Sequence, residues 1–308
     1  MDSNEQTVFG HGGDTVWFHS LSMMLPESRL GVFIAYNTDS GSAARDQFSV
    51  SFLDHYFPQP LPKEPPAAAA ASSLQRFTGT YAPSRASLHD ATKMMRLLGA
   101  ATMKVDADGY LAMTRRGAST RWRQIAPLVF AEVDGPKRLY FKENERGDVA
   151  QACASPLCVV AALKQPWWNG RAFQYTWAGV SLAVLLLGLI AFPIAAVVQR
   201  GKARPPASKI ARATAWLACL LTLSAAGLFA AKAEPSEIVF GIPDALAYAL
   251  GLWVVAAALS AVLVGLTIRA WESGWWRWTG RVSFTLVTAS LVAAMFWLHH
   301  WNLLGWRY

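Results

Sequence analysis

The stretch Phe9-Gly10-His11-Gly12-Gly13-Asp14, followed by "TVWFHSLSMMLPES", carries the residues of this 308-residue chain best suited to chemistry. Glycines at 12 and 13 leave the backbone bare, so a ligand can lie along a strand edge with little steric obstruction. An imidazole at 11 can hold a carboxylate or polarise a reacting hydroxyl. Taken alone, Gly-His-Gly-Gly fits a loop that merely enters a strand better than it fits a site. His299 and His300 are adjacent on a helix and so point to different faces, which suits interfacial histidines better than a metal site. No further zinc ligands stand near Cys153 and Cys158. A disulfide between those two is permitted, yet a short spacing does not fix its Cα geometry. Cys219 reads as a small packing residue. No metal or cofactor is implied.

The elements around His11 are legible from hydrophobic pattern. "TVWFHSLSMMLP" and "RLGVFIAYNT" are two apolar runs split by "ESR", the pattern of an antiparallel hairpin with one buried face. In "SAARDQFSVSFLDHYF", Ala44, Phe48, Phe52 and Tyr56 recur every fourth residue, which predicts an amphipathic helix able to cover that hairpin. Two or three strands and one helix bury too little apolar surface to offset the entropy of ordering them, so residues 1–57 are expected to belong to a larger sheet.

A Pro/Ala linker, residues 58–73, separates this α+β piece from short alternating segments at 74–165. Asp108-Gly109 and Asp134-Gly135, each flanked by apolar alternation, are hairpin signals. They predict a small antiparallel β-domain that is a closed or half-closed barrel. Trp122, Phe130, Tyr140 and Phe141 either fill its core or line a ligand cavity, and strand spacing favours the core.

From residue 172 to 308 the composition changes. Four stretches lack any charged side chain: Ala172 to Gln199, Ala213 to Ala231, Ala245 to Ile268 and Val282 to Leu298. About 20 apolar residues in a helix span a bilayer core, so four transmembrane helices are expected, at about 173–198, 213–231, 245–268 and 282–301. The net charge of +8 could suggest nucleic acid, but its placement argues against that partner. Arg200, Lys202, Arg204, Lys209 and Arg212 crowd the first loop without an acid, whereas Lys232 in the second is outnumbered by Glu234, Glu237 and Asp244. Positive loops stay in the cytoplasm. This orientation puts loops one and three inside, and the soluble N-terminal part and the C-terminus outside. Trp167, Trp168, Trp177, Trp275, Trp276, Trp278, Trp301 and Trp306 cluster near the ends of the spans, as headgroup-level indoles do. Stripes of small residues every fourth position, Ala218, Thr222, Ala226 and Ala230, then Ala257, Ala261 and Gly265, predict close helix contacts. No Asp, Glu, Lys or Arg lies within a span, which points to an anchor rather than a transporter.

The run Gly10-His11-Gly12-Gly13, the phrase after it and the terminal helix resemble the C-terminal end of the serine β-lactamase and penicillin-binding-protein superfamily, nearest its class C-like esterase and peptidase branch. The third active-site motif there is usually Lys-Thr-Gly on an edge strand, and many members of this branch carry His-x-Gly. The linker, a lipocalin-like β-domain opening with "FTGTY", and membrane helices also resemble the layout of membrane-anchored members. The resemblance implies a multidomain protein: a β-lactamase-like α+β fragment, a barrel-like domain and a four-helix transmembrane bundle in a bacterial cytoplasmic membrane. It makes His11 the third-motif residue, Gly12 and Gly13 substrate-binding positions, and the backbone N–H of Asp14 a donor in the oxyanion hole. A carboxylate there is tolerable only if it points away.

The superfamily's serine stands in Ser-x-x-Lys, with Tyr-x-Asn or Ser-x-Asn as a second motif, both upstream of the third. None of these patterns occurs in the 308 residues. Asp2, Asn4, Glu5 and Gln6 stand where an export signal would be basic and then apolar. Both absences lead to the expectation of an N-terminal half carrying signal, nucleophile and most of the sheet. The partners expected are then the lipid bilayer, that N-terminal half, and a small-molecule or peptide acyl substrate. The alternative is a non-catalytic membrane protein whose outer β-domain binds a ligand or partner.

Overall fold

A computed structural model describes residues 2–4, 6–15, 17–58, 71–115, 117–135, 137–154, 160–201, 205–232 and 243–306. The first strands are short: β1 (Asp2–Ser3) pairs with β2 (Gln6–Thr7). Then β3 (Phe9–Asp14), β4 (His19–Leu25) and β5 (Leu30–Tyr36) form an antiparallel sheet in that order, and α1 (Gly41–Tyr56) follows. The expected hairpin is β4–β5, with Ser22 opposite Phe33. Strand alternation puts His19, Leu21, Met23 and Leu25 on one buried face. Leu21, Met23 and Leu25 pack with Leu53 of α1 and with Val8. The helix buries Gly41, Ser49, Val50 and Leu53, and of its aromatic stripe Phe52 packs partly buried against that cluster. Phe48, Phe52 and Tyr56 stack on one another at 5.8 and 4.8 Å, and Tyr56 is exposed. A strict four-residue step rotates about 40° per repeat around a helix, so such a stripe winds off any straight contact.

The sheet face away from α1 carries Phe9, Met24 and Phe33, which are 54, 53 and 71 % exposed. They form an apolar surface with nothing packed on it among the described residues.

The β-domain is a closed eight-stranded barrel: β6 (Gly79–Pro83), β7 (Ala101–Val105), β8 (Leu111–Arg115), β9 (Ala118–Ala126), β10 (Val129–Glu132), β11 (Arg138–Glu143), β12 (Val149–Ala154) and β13 (Ala162–Lys164). Each strand pairs with its sequence neighbour and β13 closes onto β6, the up-and-down arrangement that lipocalins share. Asp108-Gly109 turns β7 into β8: Gly109 takes φ +81°, and Asp106 Oδ1 accepts from the N–H groups of Asp108 and Tyr110 at 3.0 and 2.9 Å. Asn144 caps the β11–β12 turn the same way, with Gly147 at φ +79°. Trp122, Phe130 and Phe141 are buried, and the rings of Phe77, Phe130 and Phe141 meet at 4.7 to 5.2 Å. These rings fill the interior. Tyr81 donates its hydroxyl to the Phe77 carbonyl at 2.8 Å, and burial pushes that phenol well above its ordinary range. Tyr140 is half-buried, out of step with the inward-facing residues. Cys153 is disulfide-bonded and Cys219 is free and buried. Cys158 and most of the linker, residues 59–70, lie outside the described residues.

The third part holds four helices long and apolar enough to cross a membrane: Arg171–Val198, Pro206–Lys232, Asp244–Glu272 and Trp278–His300. The last three extend past the uncharged stretches that predicted them, and the first matches its stretch to within one residue at each end. Contacts group them with Ser87–Met95, a segment lying between β6 and β7 in sequence. Asn302 donates to the Leu88 and Asp90 carbonyls at 2.9 and 3.2 Å, and Lys93 donates to the His300 carbonyl. The buried positions of the second helix are Ser208, Ala211, Ala215, Ala218, Cys219, Thr222 and Ala225; those of the third include Leu246, Ala249, Leu250, Trp253, Ala256, Ser260, Leu263 and Ala270. Most of these advance by threes and fours. Ala230, Ala261 and Gly265 of the expected stripes are exposed instead. A mean step of 3.5 keeps a seam facing its neighbour, whereas a step of four does not. Pro193 in the first helix has no N–H for the Leu189 carbonyl, and Trp216 of the second helix donates its indole N–H there at 3.0 Å. Of the tryptophans expected at the interface, Trp167, Trp168, Trp278 and Trp306 are exposed, while Trp275 and Trp301 are buried. Trp301 donates to Gln174 Oε1 at 2.9 Å. No cluster of metal-ligating side chains occurs among the described residues.

Candidate functional site

β3 is the edge of its sheet, bonded to β4 alone among the described residues. Opposed residues of an antiparallel pair share a face. The register His11↔Ser22 and Gly13↔Ser20 therefore puts His11 and Gly13 on the face away from α1. Gly12↔Leu21 and Asp14↔His19 lie on the α1 side. His11 is exposed. A Cβ on Gly13 would stand 2.8 Å from Ser20 Oγ, and one on Gly12 would stand 3.3 Å from a guanidinium nitrogen of Arg45. Both glycines thus answer to close neighbours, one on each face. Ser22 stands across from His11, and no hydrogen bond joins the two among the described residues.

The Asp14 carboxylate is turned toward α1. Its Oδ1 accepts from Arg45 Nη1 at 2.7 Å and lies 2.6 Å from His19 Nδ1. Arg45 also donates to Asp46 Oδ1 through Nε and Nη2 at 3.2 and 3.1 Å. Burial raises the Asp14 carboxyl, but the hydrogen bonds from His19 and Arg45 outweigh it and hold that group below its ordinary value of 3.8. Arg45 is pushed up in return: burial opposes, and Asp14 and Asp46 prevail. His19 is buried, and its Nε2 has no hydrogen-bond partner among the described residues. Gly41 lets α1 start against it, since a Cβ there would fall 2.9 Å from His19 Cδ2 and 2.7 Å from Tyr36 Cβ.

The sequence named His11, Gly12, Gly13 and Asp14, and all four lie on the one edge strand. It passed over His19 and Arg45. The available signal was His19 itself, a polar side chain at an inward position of β4, where burial demands a hydrogen-bond partner. The assembled site offers an exposed imidazole beside two glycines on an open strand edge, with the neighbouring carboxylate neutralised on the other face.

No protein-family model matches this chain, and no curated protein matches it. Two solved structures of SurE are similar, one with D-Leu at 18 % identity and TM-score 0.31, the other at 19 % and 0.30. Each similarity covers 51 % of this chain but only 35 and 34 % of the SurE chains, so this chain spans about a third of their length. A likeness at this level carries no argument about fold or activity.

Proposed function

We propose that this chain is the C-terminal portion of a membrane-anchored serine hydrolase related to β-lactamases and penicillin-binding proteins, and that it completes an acyl-transfer site whose serine lies on another segment. The observation that carries the reading is the edge strand β3. His11 stands exposed on it, Gly12 and Gly13 follow it along the same strand, and the Asp14 carboxylate is drawn away to Arg45 and His19. With the charge so disposed, the Asp14 backbone N–H can serve as an oxyanion donor without a carboxylate opposing it. His11 would hold a substrate carboxylate or polarise the attacking hydroxyl. The exposed Phe9, Met24 and Phe33 support the same reading, because the rest of a larger sheet and its covering layer would bury them. The substrate is a small acyl compound: an ester, a peptide ending in a D-amino acid, or a β-lactam. The filled barrel weighs against the alternative in which that domain holds a ligand. The loop charges support a soluble part outside a bacterial cytoplasmic membrane.

The test is complementation. Membranes carrying this chain with and without an N-terminal half bearing Ser-x-x-Lys are labelled with a fluorophosphonate and assayed on esters. Labelling is expected only with both halves present, on the partner half. His11→Ala should then lower turnover by about 100-fold or more while membrane insertion is unchanged. A labelled band from this chain by itself, or full turnover in His11→Ala, rejects the proposal.

A further inference from the structure

A cavity of about 610 Å³ opens where the first two long helices end, within the roughly 300 to 1,000 Å³ usual for small-ligand sites. One side is apolar, formed by Phe192, Pro193, Ala196 and Trp216, and the other is cationic, formed by Arg200, Lys209 and Arg212. None of the described residues lining it is acidic. Arg212 is fixed in place: Nη1 donates to Gln199 Oε1 at 2.7 Å, and its guanidinium carbon sits 4.5 Å from the centre of the Trp276 ring. Arg200 and Lys209 are exposed at the rim.

Trp276 is held at φ +61°, a conformation that bulky residues rarely adopt. Such strain persists only where the surroundings impose it, and it collects at binding sites. Here the surroundings are specific. The Trp276 ring lies 5.1 Å from that of Phe284, and Gly280 makes room, since a Cβ there would stand 2.9 Å from Trp276 Cβ.

We propose that this cavity binds the headgroup of an anionic phospholipid, its phosphate on Arg200, Lys209 and Arg212 and the start of an acyl chain along Phe192, Pro193 and Trp216. A free phosphate would use the cations but not the apolar wall, and a neutral lipid would use the wall but bring no counter-charge to the cations. The site lies at the ends of helices long enough to span a bilayer, the level at which headgroups sit, and basic pockets between such helices suit anionic headgroups. This inference is independent of the hydrolase reading.

The full chain, purified in detergent, is titrated by native mass spectrometry with phosphatidylglycerol, with phosphatidylcholine of the same acyl chains, and with inorganic phosphate. Phosphatidylglycerol should bind about ten-fold or more tightly than phosphatidylcholine. The double variant Arg200→Gln, Lys209→Gln should lose about ten-fold or more of that affinity. Arg269→Gln removes an exposed cation outside the cavity and should change nothing. Equal binding of the two lipids, an unchanged double variant, or protection by inorganic phosphate equal to that by phosphatidylglycerol overturns the proposal.

Discussion

At Asp14 the proposed acyl-transfer role depends on where a single side chain points. A carboxylate next to a developing oxyanion would oppose it, and the bonds to Arg45 and His19 remove that objection by tying the group to the helix side. The same bonds make a titration prediction. Because folding lowers the Asp14 pKa, its contribution to stability is present above the unfolded value near 3.8 and is lost as pH falls through the lower folded value. Carboxyl-carbon NMR of Asp14 should show a midpoint below 3.8, and Arg45→Ala should move it upward, since burial then acts with less opposition. A midpoint at or above 3.8 in the unaltered chain would mean that the network does not form. Gly13 belongs to this scale too: a Cβ there would stand 2.8 Å from Ser20 Oγ, so an alanine requires the Ser20 hydroxyl to turn away.

Helix faces were harder to read than helices. In the second and third membrane helices small residues repeat every fourth position, yet the buried faces advance mainly by threes and fours, which keeps a seam straight; in α1 the aromatic stripe winds off the buried Ser49, Val50 and Leu53. Two substitutions on one helix separate the patterns. Ala256 is fully buried against the bundle, so Ala256→Leu overpacks it and should cost about 1–3 kcal/mol, read as a lower unfolding temperature of the full chain in detergent. Ala261 is exposed on the surface available to lipid, and Ala261→Leu should leave that temperature nearly unchanged. Equal effects would restore the four-residue stripe as the contact face. In the barrel the turn chemistry was plain, because Asp106 and Asn144 bond their own loops and glycines at 109 and 147 take the left-handed backbone.

For the molecule as a whole, the loop charges make a testable prediction of orientation. If loops one and three are cytoplasmic, a cysteine placed at Gly201 should react with a membrane-impermeant maleimide only after the membrane is opened. One placed at Ser73 should react from outside intact cells. The opposite pattern would invert the topology and put the His11 strand in the cytoplasm, where an exported hydrolase has no work to do. The two compact units of the chain also divide differently from the sequence-based boundaries, since Ser87–Met95 joins the helices through Asn302 and Lys93. No composition shift marks that segment. Its membership depends on contacts with residues more than two hundred positions away.

The sequence by itself determined what rests on local composition and period: four long apolar helices, an antiparallel barrel punctuated by Asp-Gly turns, and a hairpin with one buried face. Tertiary structure alone decided which helix face packs, that the barrel closes on a filled core, that Asp14 is drawn to Arg45 and His19, and that a cationic cavity forms beside a strained Trp276. Apolar period and turn chemistry act within a few residues and are written in the chain. Side-chain partnerships between distant segments depend on angles and distances that no spacing records.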